Sequence, residues 1–262
     1  MRLNRIIRFR YGAGVSYGSV EGGSVRRLDG SGPGALTPTD ELLPLDSVER
    51  LIPCTPSKII GTGINYRDVA LAPGASLPER PLLFLKAPTA LVLSGQDVVL
   101  PPMVKSPSCE VELGVVIGKT AKCVAQADAY EYIWGYLVAN DMTASDLQKE
   151  DTLWARAKSF DTFLPVSSEI VTDIDPTALA LRSAINGQSA QMGNTADMLR
   201  DIPWLISYIS HVMTLLPGDL IITGTPSGYG KPVRPGDRMV MEIDGVGRLE
   251  NQLVPFQGTY LF

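Results

Sequence analysis

The chain has 262 residues, 45% of them hydrophobic and 19% charged. That composition can bury a core, which excludes disorder, and the length suits one large domain or a main domain with a small appendage. Twenty-eight acidic against 23 basic residues leave a formal net charge of −5, and without a basic stripe nucleic acid is excluded as the main partner.

Cys54, Cys109 and Cys123 form no CxxC pair, which fits a reducing compartment and not a disulfide framework or a cysteine-ligated zinc site. The opening MRLNRIIRFR is broken by arginines and reads as no signal peptide. No window approaches the roughly 20 apolar residues of a spanning helix. A soluble cytoplasmic protein with no membrane partner is expected.

In chain order, residues 5–11, 15–20 and 24–28 read as short strands divided by Gly-rich turns. Residues 29–46, DGSGPGALTPTDELLPLD, read as a linker. A small N-terminal β domain with its linker is therefore expected over 1–46, and the main domain over 47–262. Residues 81–93 are apolar but cut by Pro88, which predicts strand pieces. Residues 110–118 and 132–140 are strong strand candidates, and 179–186 reads as a strand ending at the Asn186-Gly187 turn. Further strands are expected over 220–223 and 238–243, the second followed by Asp244-Gly245 and residues 246–249 in a two-residue hairpin.

One helix stands out. Asp201 caps it, Pro203 lies in its first turn, and Leu205, Ile206, Ile209, Val212, Met213 and Leu216 fall on one face before Pro217-Gly218 ends it. Strands outnumber helices and no βαβ rhythm appears, so an α+β, mostly β fold is predicted, without a doubly wound sheet.

Several motifs fail. Gly61-Thr-Gly63 has Tyr66 where a dinucleotide fingerprint needs its third glycine, and Leu113 replaces the upstream glycine of a P-loop ending at Gly118-Lys119-Thr120. The single histidine, His211, falls opposite the helix's apolar stripe and reads as a solvated side chain. With no second histidine, hydrolytic triads and histidine-ligated zinc are hard to build.

The informative stretch is Cys109-Glu-Val-Glu-Leu-Gly-Val-Val-Ile-Gly118. Strand alternation puts Val111, Leu113, Val115 and Ile117 on one face. Glu110 and Glu112 then share the other, where glycines leave room for something else. The strand over 132–140, apolar on both faces, runs into Asp141. Three carboxylates around one point repel unless a cation sits among them, and an all-oxygen set favours Mg²⁺, Mn²⁺ or Ca²⁺ over zinc. The alternative is that Glu110 and Glu112 line a wet sheet face.

At these residues the chain resembles the fumarylacetoacetate hydrolase superfamily. The resemblance runs through Glu110-x-Glu112, Asn140-Asp141, Ala157-Lys158-Ser-Phe-Asp161, Asn186-Gly187, Gln191, Thr195, Pro217-Gly-Asp219 and Thr223-Gly-Thr-Pro226. The tail looks closest to the decarboxylase/isomerase branch of aromatic catabolism. The resemblance implies a mixed β roll of stacked sheets with a small N-terminal domain, usually a homodimer. It implies Mg²⁺ or Mn²⁺ held by Glu110, Glu112 and Asp141, with Lys158 as the active-site lysine. Gln148 and Thr225 match positions that contact a small oxo-acid substrate.

The departures are as informative. The family commonly carries Asn-Tyr-x-x-His-x-x-Glu, whose His–Glu dyad activates water; here Val69 and Ala72 occupy those positions. Ser145 stands where the family's Ala-Arg-Asp has arginine. The leading expectation is a metal-dependent decarboxylase or isomerase of a 2-oxo or 1,3-dicarbonyl acid. The alternatives are an acylpyruvate-type C–C hydrolase that recruits Asp68 or Glu79 as base, a non-catalytic metal- and oxo-acid-binding homologue, and a specialised biosynthetic enzyme. Residues 70–79 are expected to form a lid.

Overall fold

The computed structural model describes residues 5–30, 32–71 and 79–259. The expected strands form with small shifts at their ends. Arg5–Tyr11, Gly14–Glu21 and Ser24–Asp29 build an antiparallel meander. The expected linker is corrected: Thr37–Pro44 is a fourth strand, paired with Ser24–Asp29. Gly and Pro are six of the 18 residues of that segment, yet Pro38 and Pro44 sit on an outermost strand, where a missing N–H breaks no ladder.

Arg5–Tyr11 also pairs with Ile170–Val171, so the meander continues into the main sheet. That sheet runs through Ile170–Val171, Ile133–Asn140, Val111–Ile117, Leu220–Ile222 and Ile59–Gly63 to the edge strand Leu82–Lys86. Pairing is mixed, since Leu220–Ile222 lies parallel to Ile59–Gly63 but antiparallel to Val111–Ile117.

A five-stranded sheet packs against it, ordered Gln188–Asn194, Ala180–Ile185, Arg238–Ile243, Gly247–Pro255 and Val98–Leu100. Two of its features depart from the sequence reading. Gln188–Asn194, unforeseen because Gly193 and polar residues hide its alternation, closes the hairpin opened at Asn186-Gly187. The final strand runs to Pro255, well past residue 249.

Val111, Leu113, Val115 and Ile117 face the core between the sheets, with Leu181, Met241 and Leu249 across from them. The opposite face of the same strand is buried too, with Val116 packed beside Leu137, Leu220 and Ile222. The wet-face alternative for Glu110 and Glu112 is thereby overturned. The glycines serve packing and leave no room for a ligand: a Cβ on Gly114 would lie 2.5 Å from Leu137 Cδ1, and one on Gly118 3.2 Å from Trp134 Cβ.

The helix spans Ile202–Val212, with the Asp201 carboxylate accepting the Trp204 N–H at its start. It ends a turn before Pro217-Gly218, at an extended Met213, so Leu216 lies beyond it. His211 is exposed, its ring nitrogen 2.8 Å from the Ser207 carbonyl. Among the described residues no helix is long and apolar enough to cross a membrane.

Asp219 ties the segment leading into Ile59–Gly63 to the strand it precedes, Leu220–Ile222. Fully buried, it accepts from Ser57 N–H (2.9 Å) and Oγ–H (2.7 Å), from Leu216 N–H (2.8 Å) and from the Lys58 ammonium. Asp219→Ala orphans these donors, and a loss of about 2–4 kcal/mol in urea unfolding is expected. Unchanged stability would show that water replaces the carboxylate.

Candidate functional site

The site is assembled where two central strands meet their loops. Glu110 immediately precedes Val111–Ile117, and Asp141 immediately follows the neighbouring antiparallel Ile133–Asn140. Val111 is registered against Asn140, which brings Glu110 and Asp141 together. The Asp141 N–H donates to the Glu110 carbonyl at 2.9 Å, and the Asn140 side-chain oxygen accepts the Glu110 N–H at 3.0 Å. A short pairing of Pro107–Ser108 with Thr143–Ala144 clamps both segments from outside.

Glu112 reaches the same point from within the strand. One carboxylate oxygen from each of Glu110, Glu112 and Asp141 lies within 4.8 Å of the other two, and all three residues are buried. One Glu112 oxygen accepts the Gly224 N–H at 2.7 Å. Gly224 adopts φ +91°, and an added Cβ would stand 3.0 Å from the Thr62 carbonyl, so the Thr223-Gly-Thr-Pro226 turn needs glycine there. Asn65 holds that turn, donating to the Thr223 carbonyl at 2.9 Å.

Two buried lysines balance the carboxylates. Lys158, at the end of the Ala155–Lys158 helix, donates to Asp141 Oδ2, to Thr143 Oγ1 at 2.6 Å and to Glu110 Oε2 at 3.3 Å. Its ammonium also lies 4.7 Å from the Phe84 ring centroid. Lys86 donates to Asp141 Oδ1 at 2.6 Å and to the Met142 carbonyl at 3.1 Å. The sequence reading missed Lys86. Its signal is a lone cation closing the apolar strand Leu82–Lys86, two residues from Phe84 and so on the same face.

The electrostatics separate the three acids. Burial pushes Glu112 well up, and the charges of Asp141 and Glu110 add to it. Burial also raises Glu110, against the pull of Lys158. At Asp141 burial acts in the same sense, but Lys158 and Lys86 outweigh it and hold the carboxyl below its ordinary range. Burial opposes charge on Lys158 too, yet Asp141 and Glu110 keep its ammonium above the ordinary lysine value. Lys86 is lowered, first by burial, with Lys158 adding to the effect.

Above these groups opens a cavity of about 470 Å³. Gln148 and Thr225 line it along with Lys158 and the three carboxylates. Thr225 is oriented from behind: its hydroxyl donates to the Val111 carbonyl at 2.8 Å and accepts from Gln191 Nε2 at 2.8 Å. Val69 forms part of an apolar wall with Ile64, Phe84 and Trp154. Ala72, and the expected lid up to residue 78, lie outside the described residues. Asp68 does not line the cavity; its carboxylate caps Val69 N–H at 2.9 Å and accepts Ser227 N–H at 2.8 Å. Glu79 does not line it either.

The donor set suits a hard divalent cation. Three anionic oxygens converge in a buried place, and each carboxylate keeps lone pairs beyond its present hydrogen bonds. With both lysines charged and all three acids ionised, the cluster carries a formal −1, which a dication inverts to +1.

A family model described as fumarylacetoacetate (FAA) hydrolase C-terminal matches residues 58–254. The chain belongs to this family. A second model, Rv2993c-like, N-terminal, matches residues 4–53 of this fumarylacetoacetate hydrolase family member. The 4-hydroxyphenylacetate degradation bifunctional isomerase/decarboxylase of Salmonella dublin is 46% identical over 200 residues, covering 75% of this chain and 46% of that protein. The crystal structure of 2-hydroxyhepta-2,4-diene-1,7-dioate isomerase from Mycobacterium marinum matches with TM-score 0.89 and 38% identity, over 97% of this chain and 100% of that one. Maleylpyruvate hydrolase from Sphingobium sp. SYK-6, in complex with manganese(II) ion and pyruvate, matches with TM-score 0.77 and 30% identity, again over 97% and 100%. The expected α+β fold, mostly β with stacked sheets and an N-terminal β unit, is the one observed.

Proposed function

We propose that this chain is a divalent-metal-dependent enzyme that acts on a 2-oxo acid or 1,3-dicarbonyl acid through an enolate, by decarboxylation or keto–enol isomerisation. The observation that carries the proposal is the buried Glu110–Glu112–Asp141 cluster opening beside Lys158 into a cavity whose wall holds Val69. Glu110, Glu112 and Asp141 would hold Mg²⁺ or Mn²⁺. Bound there, the ion supplies positive charge to the 2-oxo oxygen as an enolate develops. The manganese and pyruvate of the Sphingobium structure, and the isomerase and decarboxylase names of the other relatives, support this reading.

The chain's own residues supply the rest. Lys158 offers an ammonium proton to the developing oxyanion, and its 3.3 Å bond to Glu110 is the longest of its three and the one a substrate oxygen would replace. Gln148 and Thr225, which line the same cavity, orient the acid end of the substrate, and Val69, Ile64, Phe84 and Trp154 limit water there. Decarboxylation needs an electron sink and a proton for the carbon that loses CO₂, and no base to activate water. Among the described residues the cavity's only carboxylates are the three of the cluster, and it is lined by no histidine. That disfavours hydrolysis through Asp68 or Glu79.

The test is proton NMR of the protein with oxaloacetate and with acetylpyruvate in D₂O and Mg²⁺, with Asp141→Ala as control. Faster CO₂ loss or C3 deuterium exchange than the control is expected. Acetate and pyruvate from acetylpyruvate would establish the hydrolase instead. Tight binding of metal and oxo acid with no turnover would establish a binding protein.

A further inference from the structure

The strand Gln188–Asn194 buries one side chain, and it is a polar one: Gln191 is buried while its neighbour Met192 is 72% exposed. Strand alternation turns Gln191 inward from the five-stranded sheet, towards the start of Val111–Ile117 in the other sheet. Its amide is fully used. Oε1 accepts the Val111 N–H at 3.0 Å and the Ser183 hydroxyl at 3.1 Å, and Nε2 donates to Thr225 Oγ1 at 2.8 Å and to the Pro226 carbonyl at 3.1 Å. Reversing the amide would set its NH₂ against an N–H and its oxygen against a carbonyl, so the network fixes one orientation. With Nε2 as the donor, the Thr225 hydroxyl proton goes to the Val111 carbonyl.

Both main-chain groups of Val111 therefore end on this network, and Val111 stands between Glu110 and Glu112. Strand pairing on that side stops short of them, because Leu220–Ile222 pairs with residues 114–116 alone. Beyond it the Leu113 carbonyl takes the Thr223 N–H at 3.2 Å and hydroxyl at 3.0 Å, Glu112 takes the Gly224 N–H, and Val111 takes Thr225 and Gln191. The turn lies hard against the strand of Gln191: a Cβ on Gly193 would stand 2.6 Å from Pro226 Cβ. Side chains thus replace a β-ladder where two of the three carboxylates are held.

We infer that Gln191 is a positioning residue for the cation site: from the opposite sheet it fixes Val111, and through Val111 the placing of Glu110 and Glu112. The inference rests on the proposed function, which puts a divalent cation among Glu110, Glu112 and Asp141. Gln191 does not line the cavity, so it acts through Val111 and Thr225 alone. Removing its amide leaves the fully buried Val111 N–H without a partner and frees Thr225 to turn.

Calorimetric titration with Mn²⁺ tests it without requiring turnover, on variants whose folding is verified by circular dichroism. Gln191→Met keeps the reach of the side chain and loses all four hydrogen bonds; a loss of about 10- to 100-fold in Mn²⁺ affinity is expected. Should that variant not fold, Gln191→Asn, too short to span Val111 and Thr225, is expected to lose affinity in the same range. Ser183→Ala removes a bond to Gln191 but none to Val111, and its affinity should stay near wild type. Thr225→Val breaks the same network from its other end, so combined with the Gln191 variant it should cost less free energy than the two changes summed. Unchanged affinity in the Gln191 variant, an equal loss in Ser183→Ala, or strict additivity with Thr225→Val overturns the assignment while leaving the cation site intact. If the wild type binds no Mn²⁺, the metal-dependent reading fails and this assignment with it.

Discussion

Replacing Asp141 by alanine is expected to abolish divalent-cation binding and to lower folding stability by about 3–5 kcal/mol. Asp141 is fully buried, and its two oxygens take the ammonium groups of Lys86 and Lys158 separately. Without it, two buried lysines face each other across a low-dielectric space with the carboxylates of Glu110 and Glu112 and neutral acceptors nearby. Breaking a buried pair costs more than the pair ever contributed, because the surviving charge stays out of water. Urea unfolding in EDTA reads the stability, and titration with Mn²⁺ reads the cation site. Adding Lys86→Met to Asp141→Ala should recover part of the stability but none of the cation affinity, because the two residues interact directly. Cation binding that survives Asp141→Ala would remove this residue from the ligand set.

Lys158→Met should reduce turnover about 10²- to 10⁴-fold, the usual worth of a positioned proton donor, while binding Mn²⁺ at least as tightly as the wild type. The two effects have opposite signs for a physical reason. In the proposed chemistry the ammonium would stabilise negative charge on the substrate, whereas it would repel a cation placed among Glu110, Glu112 and Asp141. A merely structural lysine would weaken both together when removed. Steady-state decarboxylation of oxaloacetate and a parallel metal titration separate the cases. Equal turnover in Lys158→Met and wild type would show that Lys158 only balances the cluster's charge.

Much of the site was legible because strand periodicity is short-range. Glu110 and Glu112 are two residues apart, so any strand through them projects both carboxylates to one side. Asp141 was legible because an acid directly after a run apolar on both faces has nowhere dry to stay unpaired. Lys158, Gln148 and Thr225 stood out only through the family resemblance, since nothing in a helix or turn marks such residues alone. Lys86 went unread because a lysine closing an apolar strand is ordinarily a side chain reaching for solvent. Only the packing of Leu82–Lys86 against the segment after Asn140 turns it inward. The Thr37–Pro44 strand was hidden because proline and glycine signal loops wherever the tertiary neighbour is unknown. An outermost strand tolerates proline that an interior one does not.

By itself the sequence determined the strand-rich class, the two-sided burial of the strand that runs into Asp141 and the pairing of two carboxylates on the neighbouring strand. These follow from side-chain alternation and composition, which act within a few residues. It determined as well that Val69 cannot accept a proton, whatever surrounds it. The tertiary structure decided how the carboxylates are balanced, because Lys86, Asp141 and Lys158 come from three separate segments and meet only through the register of the central sheet. It decided that Gly114 admits Leu137 and not a ligand. It also decided that Asp68 accepts from the Val69 and Ser227 N–H groups and does not line the cavity. Such outcomes depend on contacts between residues far apart in the chain, and no local pattern encodes them.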